Sequence, residues 1–196
     1  SAGEDHRRCW KEGDMNTKTL FSSAKKDWET PPALFDQLWH EYGPFDLDPC
    51  CLPDQYTAQR VLRAGGRIFL PPDWEPDRDW GLDREGREAI AADGLTQRWN
   101  GRVYMNPPYG QAIRHWVEMA WAETYAGNAE IVVALLPSRT DTRWWQTYIM
   151  DGAQRLPAHS FHGQAAEVRF IRGRLTFVVA ENAAPFPSVI VVWRKP

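Results

Sequence analysis

The sequence predicts a single α/β domain with a mostly parallel, doubly wound sheet and an antiparallel hairpin near the C-terminus. First, strand and helix patterns alternate along the chain. Second, the run Ile131 to Leu136 is continuously apolar, which is typical of a strand buried on both faces of a parallel sheet. Third, the segments 167–171 and 175–180 flank Arg172-Gly173-Arg174, so they are expected to pair as the hairpin.

The first half of the chain divides into an arm, a helix and an insertion. Residues 1–24 show no sustained period and are expected to form a flexible N-terminal arm ahead of a domain that spans 25–196. Thr30-Pro31 combines a capping hydroxyl with a proline in the first turn, which predicts a helix that ends at Gly43. Residues 71–92 contain seven acidic residues and three prolines, a composition typical of an acidic surface insertion.

The remaining elements follow from apolar periodicity. An amphipathic helix begins near Ile113, and Gly127 lies just past its end. The other predicted elements are strands at 45–48, 102–105 and 188–193 and helices at 55–62 and 142–150.

The composition bounds the class of protein. A chain of 196 residues is long enough for one domain with a sizeable core, and no run approaches the roughly eighteen apolar residues of a membrane span. The polar stretch 1–18 lacks the apolar core of a secretory signal. The three cysteines, Cys9, Cys50 and Cys51, offer neither a disulfide framework nor zinc-ligand spacing. We therefore expect a cytoplasmic protein that holds no metal.

Charge is distributed unevenly along the chain. The net charge of the chain is −3. From residue 138 onward there are eight basic and four acidic residues, so this third of the chain carries a net charge of +4 and the remainder carries −7. A basic surface on an otherwise acidic protein is typical of a protein that binds phosphate groups on one side. The alternative is that the arginines are solvated and have no partner.

Residues Asn106-Pro107-Pro108-Tyr109 directly follow the strand 102–105, which delivers them to its carboxyl end, where ligands bind in open α/β sheets. The prolines remove two N–H donors and leave carbonyl groups free. An amide oxygen of Asn106, the Pro107 carbonyl and the ring of Tyr109 together can hold a planar amino group. The alternative is an ordinary proline-rich turn.

Two aspartates are candidates to bind a cationic ligand. Asp48 ends the strand 45–48, and Asp46 lies two residues earlier, on the same face of that strand. Carboxylates at this position can balance a positive charge, but an aspartate that closes a strand is equally often a turn residue.

The motif Asn106 to Tyr109 resembles the Asp/Asn-Pro-Pro-Tyr motif of amino-methyltransferases that use S-adenosylmethionine. Further segments, in the same order, resemble the phage-type DNA N6-adenine methyltransferases, the Dam-like family. These segments cover most of 25–193 and are 26–31, 47–49, 93–99, 135–144, 170–175 and 185–189. The chain departs from the general methyltransferase pattern after the first strand, where Asp48-Pro49-Cys50-Cys51 replaces a glycine-rich turn.

The resemblance implies a Rossmann-like methyltransferase domain that transfers a methyl group from S-adenosylmethionine to a flipped-out adenine in double-stranded DNA. It implies a site-specific enzyme of a bacterial cell or a phage-infected host. Whether the enzyme acts alone or beside a restriction nuclease, and whether it is a monomer or a weak dimer, stays open at this stage. Asn106, Pro107, Pro108 and Tyr109 would be catalytic. The donor would contact Trp28, Thr30, Pro31, Asp46, Asp48, Asp93 and Leu95.

DNA contacts are expected from the basic third of the chain, in particular from Arg139, Arg143, Arg172 and Arg174. Two alternatives to adenine methylation stay open at this stage. The same amino-methyl transfer could act on cytosine N4, RNA adenine or a protein glutamine, or the chain could be a catalytically silent DNA-binding relic.

Overall fold

The computed structural model describes residues 28–71, 88–150, 165, 167–178, 180 and 182–196. The predicted arm 1–24 lies outside this part of the chain, as does most of the predicted insertion 71–92. The elements in chain order are α1 (Pro32–Tyr42), β1 (Leu47–Asp48), α2 (Tyr56–Arg63), β2 (Arg67–Leu70), β3 (Glu88–Ala91), β4 (Gly101–Met105), α3 (Ile113–Tyr125), β5 (Ala129–Pro137), α4 (Arg143–Tyr148), β6 (Glu167–Phe170) and β7 (Ser188–Arg194).

One seven-stranded sheet organises the molecule, in the order β3-β2-β1-β4-β5-β7-β6. Strands β1 to β5 are parallel, whereas β7 is antiparallel to both β5 and β6. The expected mixed α/β architecture with a mostly parallel sheet is confirmed. Among the described residues, no helix has the length and apolar character needed to span a membrane.

The predicted pairing of 167–171 with 175–180 is wrong. Strand β6 pairs instead with β7, and the described residues of 175–180 form no strand. The reason is packing: Phe177 is buried against the Trp28 ring, and the backbone N–H of Val178 donates to the Glu29 carbonyl. The segment therefore crosses to the start of the described chain rather than folding back on β6.

Two strands were not predicted. Strand β2 is short and follows directly on α2, so its four residues give no separate pattern. Strand β3 lies inside the predicted insertion, and its parallel pairing with β2 makes residues 88–91 part of the sheet rather than of a surface loop.

Both faces of the sheet are covered, which explains the uninterrupted apolar run in β5. On one face Val132 and Ala134 pack with Trp116 of α3, and on the other Ile131 and Val133 pack with Phe35 of α1. Helix α1 begins at Pro32 and ends before Gly43, whose N–H donates to the Trp39 carbonyl, close to the predicted boundaries.

The carboxyl edge of the sheet, as we use the term, is the edge at which β1, β4, β5 and β6 all end. These strands are mutually parallel, because β6 and β5 are each antiparallel to β7. The order also places β1 between β2 and β4, so the chain reverses its direction of winding at the β1–β4 boundary. Ligands in open α/β sheets bind outside the strand ends at such a reversal.

Gly101 opens β4 in a left-handed conformation, with φ of +72°, and its Cα faces the Asp46 carboxylate so closely that a Cβ would collide with it. Gly127 also has a positive φ, +77°, but no atom lies within 4 Å of the place that a Cβ would take there. Gly127→Ala should lower the free energy of unfolding by about 1 kcal/mol through backbone strain alone. Gly101→Ala should cost at least about 1 kcal/mol more, because Asp46 must also leave its hydrogen bond.

Urea denaturation of the two glycine variants measures this difference, and the shared positive φ makes Gly127→Ala the matched control. Equal destabilisation by both substitutions would contradict the contact between Gly101 and Asp46.

Candidate active site

Asn106 is the first residue after β4, and its side-chain amide is held in one orientation. The Nδ2 group donates to the Trp28 carbonyl at 2.6 Å and to the Thr30 hydroxyl at 3.0 Å. Both amide hydrogens are therefore used. The Oδ1 atom is buried and has no hydrogen-bond partner in the described part of the chain. Because a buried acceptor without a partner costs roughly 1–3 kcal/mol, Asn106 offers an acceptor suited to an external N–H group.

Thr30 connects this amide to the sheet. Its hydroxyl lies 2.7 Å from the Tyr104 hydroxyl, and Thr30 is almost fully buried. Tyr104 is the fourth residue of β4 and packs edge-on against Phe35 of α1. The segment 28–30 is thus fixed to β4 and α1 before it reaches Asn106.

The two prolines leave one carbonyl free. The Pro108 carbonyl accepts the N–H of Gly110 at 3.0 Å, whereas no donor of the described residues is bonded to the Pro107 carbonyl. The chain then turns into α3 at Ile113. Pro107 therefore presents a second acceptor one residue from Asn106.

Tyr109 belongs to an aromatic cluster, which we define as Trp28, Tyr109, Phe177 and Phe186. The Tyr109 hydroxyl donates to the Leu135 carbonyl at 3.2 Å, which sets the ring over β5. The Phe186 and Phe177 rings meet it nearly edge-on at 5.5 and 6.2 Å between centroids. Neither phenylalanine is among the predicted site residues, although Phe186 lies in a segment that resembles the Dam-like family.

Asp48 closes β1 at the reversal point of the sheet and is 2% exposed. Its carboxylate accepts the N–H of Cys50 at 3.3 Å and a hydrogen bond from the Thr57 side chain. These bonds stabilise the ionised form, but desolvation outweighs them and raises the pKa of Asp48 to about 7. A cation at this position would favour the ionised carboxylate.

Asp93 and Leu95 lie in a turn after β3. The Asp93 carboxylate accepts the N–H of Leu95 at 2.9 Å, and burial raises the pKa of Asp93. Gly94 packs directly on the Pro49 backbone, where a Cβ would collide with the Pro49 carbonyl. The turn is therefore held against the loop that follows Asp48.

Asp46 lies apart from these groups. Its carboxylate accepts the N–H of Arg102 at 2.7 Å, at the start of β4. The start of β4 is opposite the carboxyl edge, so the Asp46 carboxylate is bonded at the other end of β4 from Asn106.

Arg139, Arg143, Arg172 and Arg174 are all exposed and follow strands that end at the carboxyl edge. Arg139 and Arg143 come after β5, and Arg172 and Arg174 come after β6. No carboxylate of the described residues pairs with them, in contrast to Arg169, which binds Glu41 at 2.9 Å. The structure thus brings the predicted basic residues to the same edge as Asn106.

The two cysteines of this region are buried free thiols, and burial raises the pKa of each well above its ordinary value. Within the described ranges, no group of three or more His, Cys, Asp or Glu side chains is placed to hold a metal ion.

A family model described as DNA N-6-adenine-methyltransferase (Dam) matches residues 89–195, more than half of the chain. The chain therefore belongs to this family of DNA adenine methyltransferases. The match includes Asp93, Asn106 to Tyr109 and the four arginines, whereas Trp28, Thr30, Pro31 and Asp48 precede it. No curated protein shows significant sequence similarity to the chain.

The raised pKa of Asp48 predicts a pH dependence of stability. Between about pH 4 and 7 the folded protein keeps a proton that the unfolded chain has released, so stability from this group is greatest below pH 4 and falls as the pH rises to 7. Urea denaturation measures this effect. The unfolding free energy of the wild type, relative to that of Asp48→Asn, should fall by up to about 4 kcal/mol as the pH rises through this window. Parallel curves would mean that Asp48 titrates normally.

Proposed function

We propose that this Dam-family protein transfers a methyl group from S-adenosylmethionine to the N6 amino group of an adenine flipped out of double-stranded DNA, at specific sites. The observation that supports the proposal most is the amide of Asn106, whose two hydrogens are bonded to Trp28 and Thr30 while its oxygen has no described partner. Such an oxygen accepts an N–H group, and an exocyclic amino group supplies two of them.

Two acceptors have a chemical purpose in this reaction. The lone pair of an adenine amino group is delocalised into the ring, so the nitrogen is a poor nucleophile. When Asn106 Oδ1 and the Pro107 carbonyl each accept one N–H, they draw the nitrogen toward tetrahedral geometry and orient its lone pair for in-line attack. No strong base is needed beforehand, because the amino proton leaves only after transfer, from a cationic product.

The donor site proposed here lies at the reversal point of the sheet, beside Asp48 and the Asp93–Leu95 turn. S-adenosylmethionine supplies an electrophilic methyl group on a positively charged sulfonium. Carboxylates fit that charge, and Asp48 is a buried carboxyl group whose pKa would fall beside it. Trp28, Thr30 and Pro31 complete the proposed donor site, while the position of Asp46 leaves it outside.

Adenine must leave the base stack to reach Asn106, because the amino group of a paired base is not accessible in a duplex. The Tyr109 ring is the proposed stacking surface. Since Asn106 Oδ1 is buried, the side chains around it must move for the base to enter. The exposed arginines of the carboxyl edge would hold the phosphates.

Nucleoside mass spectrometry tests the proposal directly. DNA incubated with the protein and isotopically labelled S-adenosylmethionine should yield labelled N6-methyladenine. Label found in N4-methylcytosine, in RNA adenine or in protein glutamine would identify that group as the acceptor instead of adenine in DNA. DNA binding without donor binding or methyl transfer would indicate a catalytically silent protein and overturn the proposal.

Replacing Asn106 tests the catalytic acceptor. Asn106→Ala should lower the methylation rate about 100-fold or more, since one preorganised polar contact is lost, and should largely spare donor affinity. Asn106→Asp should also fail in this chain, because a carboxylate would place an acceptor 2.6 Å from the Trp28 carbonyl. Single-turnover methylation and calorimetric donor binding measure the two effects.

The pair Thr30→Val and Thr30→Ser provides the matched control for the Asn106 variants. Serine keeps the hydroxyl that accepts Asn106 Nδ2, so only valine should lower the methylation rate. An Asn106→Ala protein with a near wild-type rate would contradict the assignment of Asn106.

Removing two arginines tests where DNA binds. Arg139→Ala with Arg143→Ala should weaken DNA binding and lower the slope of log affinity against log salt by roughly 1.8, because each lost phosphate contact contributes about 0.9. Arg63→Ala is the control, because this exposed arginine ends α2 just before β2 begins, away from the carboxyl edge. An unchanged slope in the double variant would place DNA on another face.

A further inference from the structure

The two residues at the start of the described chain are held by a segment that follows β6. The Trp28 ring meets the Phe177 ring edge-on, with centroids 5.1 Å apart and planes inclined by 83°. The Glu29 carbonyl accepts the backbone N–H of Val178 at 3.2 Å. Phe177 is 1% exposed, so its contact with Trp28 belongs to the core. The position of the Trp28 carbonyl, which accepts a hydrogen bond from the Asn106 amide, therefore depends on Phe177.

The same segment carries two of the proposed phosphate contacts. We call residues 171–178 the arginine segment, because Arg172 and Arg174 are exposed along it. Two backbone hydrogen bonds, at 3.0 and 2.8 Å, fix the segment to the chain that leads into β7. They run from the Ile171 N–H to the Ser188 carbonyl and from the Ala184 N–H to the Leu175 carbonyl. The five residues from Arg172 to Phe177 span at most about 18 Å, so a ligand bound to the arginines would also restrict Phe177.

The orientation of the Asn106 amide is sensitive to small movements of Trp28. The Nδ2 group is bonded to the Trp28 carbonyl at 2.6 Å, so a shift of that carbonyl turns the whole amide. A turned amide would aim Oδ1 away from the nitrogen that it is proposed to bind. Misplacement of a reacting group by about 1 Å can lower a rate by about 100-fold.

We propose that Phe177 is a positioning residue that couples DNA binding by the arginine segment to the orientation of the Asn106 amide. This inference rests on the proposed function and adds to it a control of the site by DNA. DNA held by the arginines restricts the movement of Phe177, and Phe177 restricts Trp28 and thereby the amide. Bound DNA thus raises the population of the catalytic orientation.

A double-mutant cycle tests the coupling in single turnover, with saturating donor and a saturating DNA duplex that the wild type methylates. Phe177→Leu keeps an apolar side chain in the core but removes the ring that meets Trp28. It should lower the methylation rate about fivefold or more, the lower end of usual coupling between two sites, and should affect DNA affinity much less. Arg172→Ala with Arg174→Ala should weaken DNA binding and also lower the saturated rate. In the Phe177→Leu background, the arginine substitutions should weaken binding without a further loss of rate.

Phe69→Leu is the matched control for Phe177→Leu. Phe69 is also buried, but it lies on β2 and packs on the other face of the sheet. This variant should lower the melting temperature without lowering the saturated rate. A Phe177→Leu protein that loses only thermal stability would overturn the proposal, because Phe177 would then be a core residue alone. Rate losses that multiply when the arginine and Phe177 substitutions are combined would overturn it as well.

Hydrogen exchange of the Val178 amide, followed by NMR, measures the coupling without methyl transfer. Because this N–H is bonded to the Glu29 carbonyl, a short DNA duplex should slow its exchange in the wild type. The variant Arg172→Ala with Arg174→Ala should show no such slowing when it is saturated with the same duplex. Equal exchange with and without DNA in the wild type would contradict the coupling alone. Slowed exchange in a wild type that transfers no methyl group would contradict the proposed function alone.

Discussion

The hydrogen bonds from the Asn106 amide to Trp28 and Thr30 are the constraint on which the rest of the site depends. An isolated asparagine can flip its amide, which exchanges the positions of Oδ1 and Nδ2. Here both bonded partners of the amide act as acceptors. They force Nδ2 toward the segment 28–30 and Oδ1 away from it. Thr30 in turn is fixed by Tyr104, so the orientation of the amide follows from the packing of β4 against α1.

The same contacts join two parts of the chain that are far apart in sequence. Asn106 and Tyr109 fall within the region that matches the family, whereas Trp28, Thr30 and Asp48 lie before it. The sheet order closes this distance, because β1 and β4 are neighbours and end at the same edge. A chain that kept the Asn-Pro-Pro-Tyr segment but lost residues 28–30 would keep the asparagine and lose what orients it.

Much of this arrangement could be predicted from sequence, because local patterns determine it. The helix after Thr30-Pro31, the buried strand before Asn106 and the basic loop after β5 each have a signal within about ten residues. The pairing of β6, the use of Asp46 at Gly101 and the packing of Phe177 on Trp28 depend instead on contacts between segments distant in sequence. Composition and periodicity carry no information on such contacts, and so the hairpin prediction failed.

Buried polar groups differ in how fully the protein itself satisfies them. Glu123 is buried, and its carboxylate accepts the N–H of Trp99 and the Asn128 amide, which satisfies it within the protein. The hydrogen bonds to the ionised Asp48 carboxylate stabilise it by less than its desolvation costs. Asn106 Oδ1 has no described hydrogen-bond partner. Both therefore lower the stability of the folded protein, and both lie at strand ends beside the reversal of the sheet. The proposed cationic donor and amino group would supply what these two atoms lack, so binding of both proposed substrates would recover the stability given up there.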